Sequence, residues 1–218
     1  MRGVIEELVH ELPLPQRLAL SYAPAASRSL FLAVMALDAR LAMIVRKRHE
    51  VVLAQIRIAW WRDTLRRPVS EWPRGDAVLG MLRTWQGPET LAALADGWEV
   101  LLDETLGPAS IDEFGRGREA AFMAVAEELG LPDASGVAPA ARCWALADLA
   151  ANLSAAEERE PVVALGRLGA APAALPRQMR PLAVLAGLGW AALARGGGPL
   201  LDGPTDGLRA LRIGLIGR

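Results

Sequence analysis

Apolar residues recur every three to four positions along nearly the whole chain and nowhere alternate with polar ones between turn dipeptides, so helix is the one regular structure the pattern supports. Val4, Ile5, Leu8, Val9 and Leu12 set the period before Pro13 and Pro15 interrupt it. After Pro24, Ser27 is a candidate N-cap, and Leu30, Val34, Leu37, Leu41 and Ile44 predict a long central helix. A third helix, from about Glu50 to Arg66, carries Leu53, Ile56 and Trp60 on one stripe and Ile58, Trp61 and Leu65 on another. Apolar residues on two faces predict that it is mostly enclosed.

Pro68, Pro73 and Gly75 break the chain. Val78, Leu82 and Trp85 then mark a short helix closed by Gly87-Pro88, and Leu91, Leu94, Trp98, Leu101 and Thr105 outline the next. From Ser110, another candidate cap, the series Ile111, Phe114, Arg118, Ala121, Val125 and Leu129 runs to Gly130, the residue type that commonly ends a helix. A helix from about Val137 to Ser154 carries Cys143, Trp144, Asp148 and Asn152, and others are expected near 162–168, 180–195 and 206–215. The glycine run from Gly196 to Pro199 marks 196–204 as a flexible loop before a short terminal helix. The expected architecture is all-α, one domain over residues 1–218.

At 218 residues and 52% hydrophobic, the chain can bury one substantial core. Its net charge of −1 gives no global field for nucleic acid, so no nucleic-acid partner is expected and charge-driven binding must be local. One local excess exists. Arg40, Arg46, Lys47, Arg48, Arg57, Arg62, Arg66 and Arg67 face only Asp38, Glu50 and Asp63 in the same segment. The single cysteine excludes an intramolecular disulfide, the acids within MRGVIEELVHEL are unlike a secretory leader, and the longest apolar run, 181–194, is too short to span a bilayer. The expected location is the cytoplasm.

Carboxylates at i and i+4 can share a cation on one helix face. Glu7 and Glu11 form one such set and Asp96, Glu99 and Asp103 another, but each reads first as a solvated face with no partner in view. His10 and His49 are too scattered for a zinc site, Cys143 lies in an apolar helix, and no glycine-rich phosphate loop occurs. No metal or cofactor is expected. The segment QIRIAWWRDTL, residues 55–65, sets Trp60 and Trp61 about 100° apart between Arg57 and Arg62. Such a segment suits either a cleft for an apolar ligand with an anionic head or a tryptophan-rich core.

These segments resemble the squalene and phytoene synthase family. SRSLFLAVMALDARLAMIV, residues 27–45, is similar to the family's serine-and-basic flap and first motif helix; IAWWRDTL, residues 58–65, is similar to its tryptophan–arginine helix. ALADLAAN, residues 145–152, falls where the second motif lies, and LPRQMRPLAVLAGLGWAAL, residues 175–193, falls at the later helices. The resemblance implies an isoprenoid-synthase-like bundle. It also implies a departure, because the two aspartate clusters that hold magnesium in catalytic members fall here at Leu41, Ala42 and Val45 and at Asn152 and Ala156. Asp38, Asp148 and Asn152 remain as vestigial candidates. Ser27, Arg28, Phe31, Arg57, Trp60, Trp61, Arg62 and Trp144 are the expected cleft.

Loss of the clusters looks like the short, non-catalytic branch that includes the phytoene-synthase-type assembly factor of respiratory complex I. The resemblance thus implies a non-catalytic protein that binds an isoprenoid or other lipid, or contacts a respiratory complex, peripherally on the inner membrane. The alternative is a prenyl transferase with a rearranged site, in which Asp38 and Asp148 on facing helices share one Mg²⁺. A third possibility is an interaction module whose cleft is filled by Trp60, Trp61 and Trp144.

Overall fold

The structure is a computed structural model that describes residues 2–46 and 50–217. It is all-α: among the described residues there are eleven α-helices and no strand. In chain order these are α1 (Arg2–Glu11), α2 (Leu14–Ser21), α3 (Ala25–Arg46), α4 (Val51–Arg66), α5 (Ala77–Leu82), α6 (Ala92–Glu99), α7 (Pro108–Glu128), α8 (Val137–Asn152), α9 (Ala156–Arg167), α10 (Arg180–Ala194) and α11 (Pro204–Ile216). Lys47, Arg48 and His49, the centre of the basic segment, lie outside the described residues.

The centre is α3, which touches α1, α2, α4, α5, α6 and α7. Its residues Phe31 to Ala39 are all buried, whichever face they occupy, and eight of those nine are apolar. A helix apolar all round belongs inside a core. The enclosure expected of α4 therefore falls to α3 instead. On α4 only Ala54, Ile58, Trp61, Thr64 and Leu65 are buried, while Val52, Leu53, Ile56 and Trp60 face solvent. The two-stripe reading failed because apolar content on a second face signals burial only when another element covers it.

Proline placed several ends differently from the periodicity. Pro15 sits in the first turn of α2, where its missing N–H costs nothing, so Pro13 and Pro15 start a helix as well as ending one. Ser27 does not cap α3. It lies inside the first turn, and its hydroxyl donates to the Pro24 carbonyl at 3.4 Å. Gly130 does end α7: at φ +61° it takes the left-handed conformation, and its N–H donates to the Glu127 carbonyl. In the stretch 196–204, the N–H groups of Gly196 and Gly197 donate to the carbonyls of Leu193 and Ala192, and Arg195 holds Asp206 through two N–H donors at 3.0 Å each.

One crossing positions the polar interior. A Cβ on Gly117 would stand 2.7 Å from the Ala93 carbonyl oxygen and 3.2 Å from Gly97 Cα, so α6 and α7 approach backbone to backbone there. Two glycines make that separation possible. The residues that follow them, Trp98 and Arg118, both reach Asp38. Meanwhile α7 packs on α8, which packs on α10, bringing Asp148 to the other side of Arg118.

Candidate functional site

Asp38 is the one acid on the enclosed part of α3, and it is 2% exposed. Burying a carboxylate is costly unless donors replace its water, and here four do. Arg118 Nε donates to Oδ1 at 3.0 Å and Arg118 Nη2 to Oδ2 at 2.9 Å, a bidentate fork. Trp98 Nε1 donates to Oδ1 at 2.8 Å and Gln16 Nε2 to Oδ2 at 3.4 Å. Since both oxygens accept two donors, the carboxyl is ionised.

Arg118 then turns its second Nη2 hydrogen to Asp148 Oδ2 at 2.8 Å. Its guanidinium also stacks between aromatic rings, 4.2 Å from the Trp144 centroid, 4.7 Å from Phe114 and 5.2 Å from Trp98. Burial raises the Asp38 carboxyl above its ordinary 3.8, opposed by the Arg118 charge and hydrogen bonds. Burial alone would lower Arg118, but the charges of Asp38 and Asp148 outweigh it and hold the guanidinium above its ordinary value.

Beside this cluster lies an open cavity of about 470 Å³, lined by Asp38, Arg118, Asp148, Trp98 and Phe114, and by apolar residues including Ala42, Leu101 and Leu149. Its size is that of small-molecule sites. Asn152 lines it too, accepting from Arg46 Nη2 at 2.8 Å and donating to the Asp148 carbonyl. The three vestigial candidates, two carboxylates and an amide, thus meet at one cavity. The group shared by Asp38 and Asp148 is a guanidinium. Among the described residues, no group of three or more histidine, cysteine or acidic side chains is arranged to hold a metal ion.

The other expected cleft residues lie apart from this cavity. Arg28 donates to the Leu20 carbonyl, and buried Phe31 packs on Phe122 with centroids 5.8 Å apart. Trp61 is buried under Arg40, whereas Trp60 is 44% exposed and Arg57 exposed beside it. Arg62 pairs with Glu99 and, at 3.8 Å, with Asp96, which Arg66 also holds at 2.8 Å. That network accounts for two members of the acidic stripe, while Asp103 lies past the end of α6, exposed. Trp144 stacks on Arg118 and meets Phe122 edge to face, so it supports the cavity without lining it. Glu7 and His10 are exposed, and exposed Glu11 reaches the cavity edge. Burial pushes the Cys143 thiol up to about 12, consistent with an inert side chain.

Sequence reasoning missed Arg118, Gln16, Trp98 and Phe114 as site residues. The signal was present for Arg118, which interrupts an otherwise apolar stripe between Phe114 and Ala121 and so demands buried acids.

Compared with protein-family models, curated proteins and solved structures, the chain finds no match.

Proposed function

We propose that this chain is a non-catalytic binding protein: a helical bundle, resembling the squalene and phytoene synthases, that holds an apolar lipid or isoprenoid in its central cavity. What carries the reading is Arg118. Its guanidinium occupies the space between Asp38 and Asp148, the two acids that a magnesium-dependent transferase would have to spend on metal, and Asp38 has no lone pair left over. A fixed organic cation neutralises these acids but offers no coordination site for a diphosphate, so ionisation of a prenyl diphosphate loses its usual electrophile. The adjoining cavity keeps room for a small apolar molecule.

A contact role on a membrane surface or a respiratory complex is the second reading. It rests on α4, where Val52, Ile56 and Trp60 form an exposed apolar stripe beside Arg57. No helix among the described residues is long and apolar enough to cross a membrane.

The test of the main reading is incubation of purified protein with farnesyl or geranylgeranyl diphosphate and Mg²⁺, followed for pyrophosphate. The expected result is no release above the protein-free rate, with an apolar molecule recovered by solvent extraction of the purified protein. Turnover would replace this reading with the prenyl transferase.

A further inference from the structure

Two residues that line the cavity each bury a polar atom without a hydrogen-bond partner among the described residues: Arg118 its Nη1, a donor, and Gln16 its Oε1, an acceptor. Both belong to side chains almost wholly enclosed, at 1% and 4% exposure, and both residues line the cavity. Leaving either unpaired is expensive, and the charged one more so. Their orientations are fixed. Gln16 must turn its amide nitrogen to the Asp38 carboxylate, which forces Oε1 away from it. Arg118 spends Nε and one Nη2 hydrogen on Asp38 and the other Nη2 hydrogen on Asp148. In a planar guanidinium, one Nη1 hydrogen runs parallel to the Nη2 hydrogen that reaches Asp148, so the free donor points along the Asp148 side. Asp148 is the open member of the cluster, with a quarter of its side chain exposed.

We infer that the cavity selects a neutral amphiphile whose head is a hydroxyl, accepting from Arg118 Nη1 and donating to Gln16 Oε1 or Asp148, with its tail along Ala42, Leu101 and Leu149. This rests on the binding reading above and narrows it. A hydroxyl satisfies a donor and an acceptor at once. A carboxylate cannot donate, and any anionic head would sit beside Asp148 in a cavity lined by four carboxylates, Glu11, Asp38, Asp148 and Glu158, against two guanidiniums, Arg46 and Arg118. A quaternary ammonium suits the net negative lining but can neither accept from Arg118 nor donate, so it leaves both buried groups unpaired. The selection is therefore opposite to that of a diphosphate site.

The test holds the tail constant and varies the head: 1-decanol, decanoate, decyl phosphate and decyltrimethylammonium, titrated against the full chain by tryptophan fluorescence and thermal shift. Decanol should bind at least tenfold more tightly than the other three. Ala42→Phe, which adds a ring to the cavity wall, should abolish binding of all four heads while the chain stays folded. Gln16→Leu should weaken the preference for the alcohol, and Gln16→Leu combined with Asp148→Leu should erase it. Equal or tighter binding of decanoate or decyl phosphate overturns the hydroxyl assignment but leaves the binding reading standing. Decanol binding that survives Ala42→Phe, or no binding by any head, overturns the inference. Pyrophosphate release from a prenyl diphosphate is a separate readout, and that result would overturn the binding reading itself.

Discussion

Arg118 holds two carboxylates with 1% of its side chain exposed, and Arg62 holds three, Asp63, Asp96 and Glu99, with 24% exposed. Around Arg118, the guanidinium and Asp38 have given up their water while Asp148 keeps a quarter of its side chain exposed, and the buried pair survives on a bidentate fork, an indole donor and three aromatic rings. Around Arg62, Arg66, Asp96 and Glu99, water and salt still screen the charges, and α4, which buries Ile58, Trp61 and Leu65, packs on α6 whether or not the ions pair. The difference teaches that the same residue types carry different meanings. A buried pair dictates which side chains must accompany it, whereas a surface pair decorates a contact made by apolar burial.

The largest effect should come from breaking the buried side of this comparison. Arg118→Met leaves Asp38 buried without its counter-ion and should cost about 3–5 kcal/mol of stability in urea titration. Its pH dependence should also be distinctive. Burial already raises the Asp38 carboxyl in the native state, and removing Arg118 takes away the opposing charge. A folded pKa above the unfolded value means stability is lost as pH rises through it, so the variant should be more stable near pH 5 than near pH 7.5. A midpoint that is unchanged, or that falls on acidification, would show that Asp38 does not depend on Arg118.

A smaller loss is expected where the backbone holds the cluster together. Gly117→Ala drives a methyl against the Ala93 carbonyl and must separate α6 from α7, at about 1–3 kcal/mol. Because Trp98 and Arg118 reach Asp38 only across that crossing, the variant's tryptophan fluorescence should shift as well. The smallest effect belongs to the surface network. Arg62→Ala should cost under about 1 kcal/mol, and the difference from wild type should shrink further in high salt. A loss as large as that of Arg118→Met would erase the distinction between the two clusters.

The contrast also explains what was legible in the sequence. Helix content was, because spacing along one strand of chain decides it, and most helices lie where Leu, Val and Ile repeat. Enclosure was less so: α3 and α4 both carry apolar residues on more than one face, but α3 is covered by α1, α2, α4, α5, α6 and α7, whereas one face of α4 is left to solvent. Asp38, Asp148 and Asn152 were picked out by position and do converge on one cavity, but the identity of the cation between the two aspartates was not. It comes from α7, eighty residues from Asp38, and depends on Gly97 and Gly117 letting two helices touch. The residues expected from the tryptophan–arginine segment lie elsewhere because adjacent tryptophans point apart, which put Trp60 in solvent and Trp61 in the core.

The claim beneath all of this is that a guanidinium stands where two acids would otherwise hold a metal. Mn²⁺ paramagnetic resonance with and without pyrophosphate measures it directly. The account predicts that the free-ion signal stays undiminished when protein is added. A protein-dependent loss of that signal, removed by Asp38→Asn or Asp148→Asn, would contradict it.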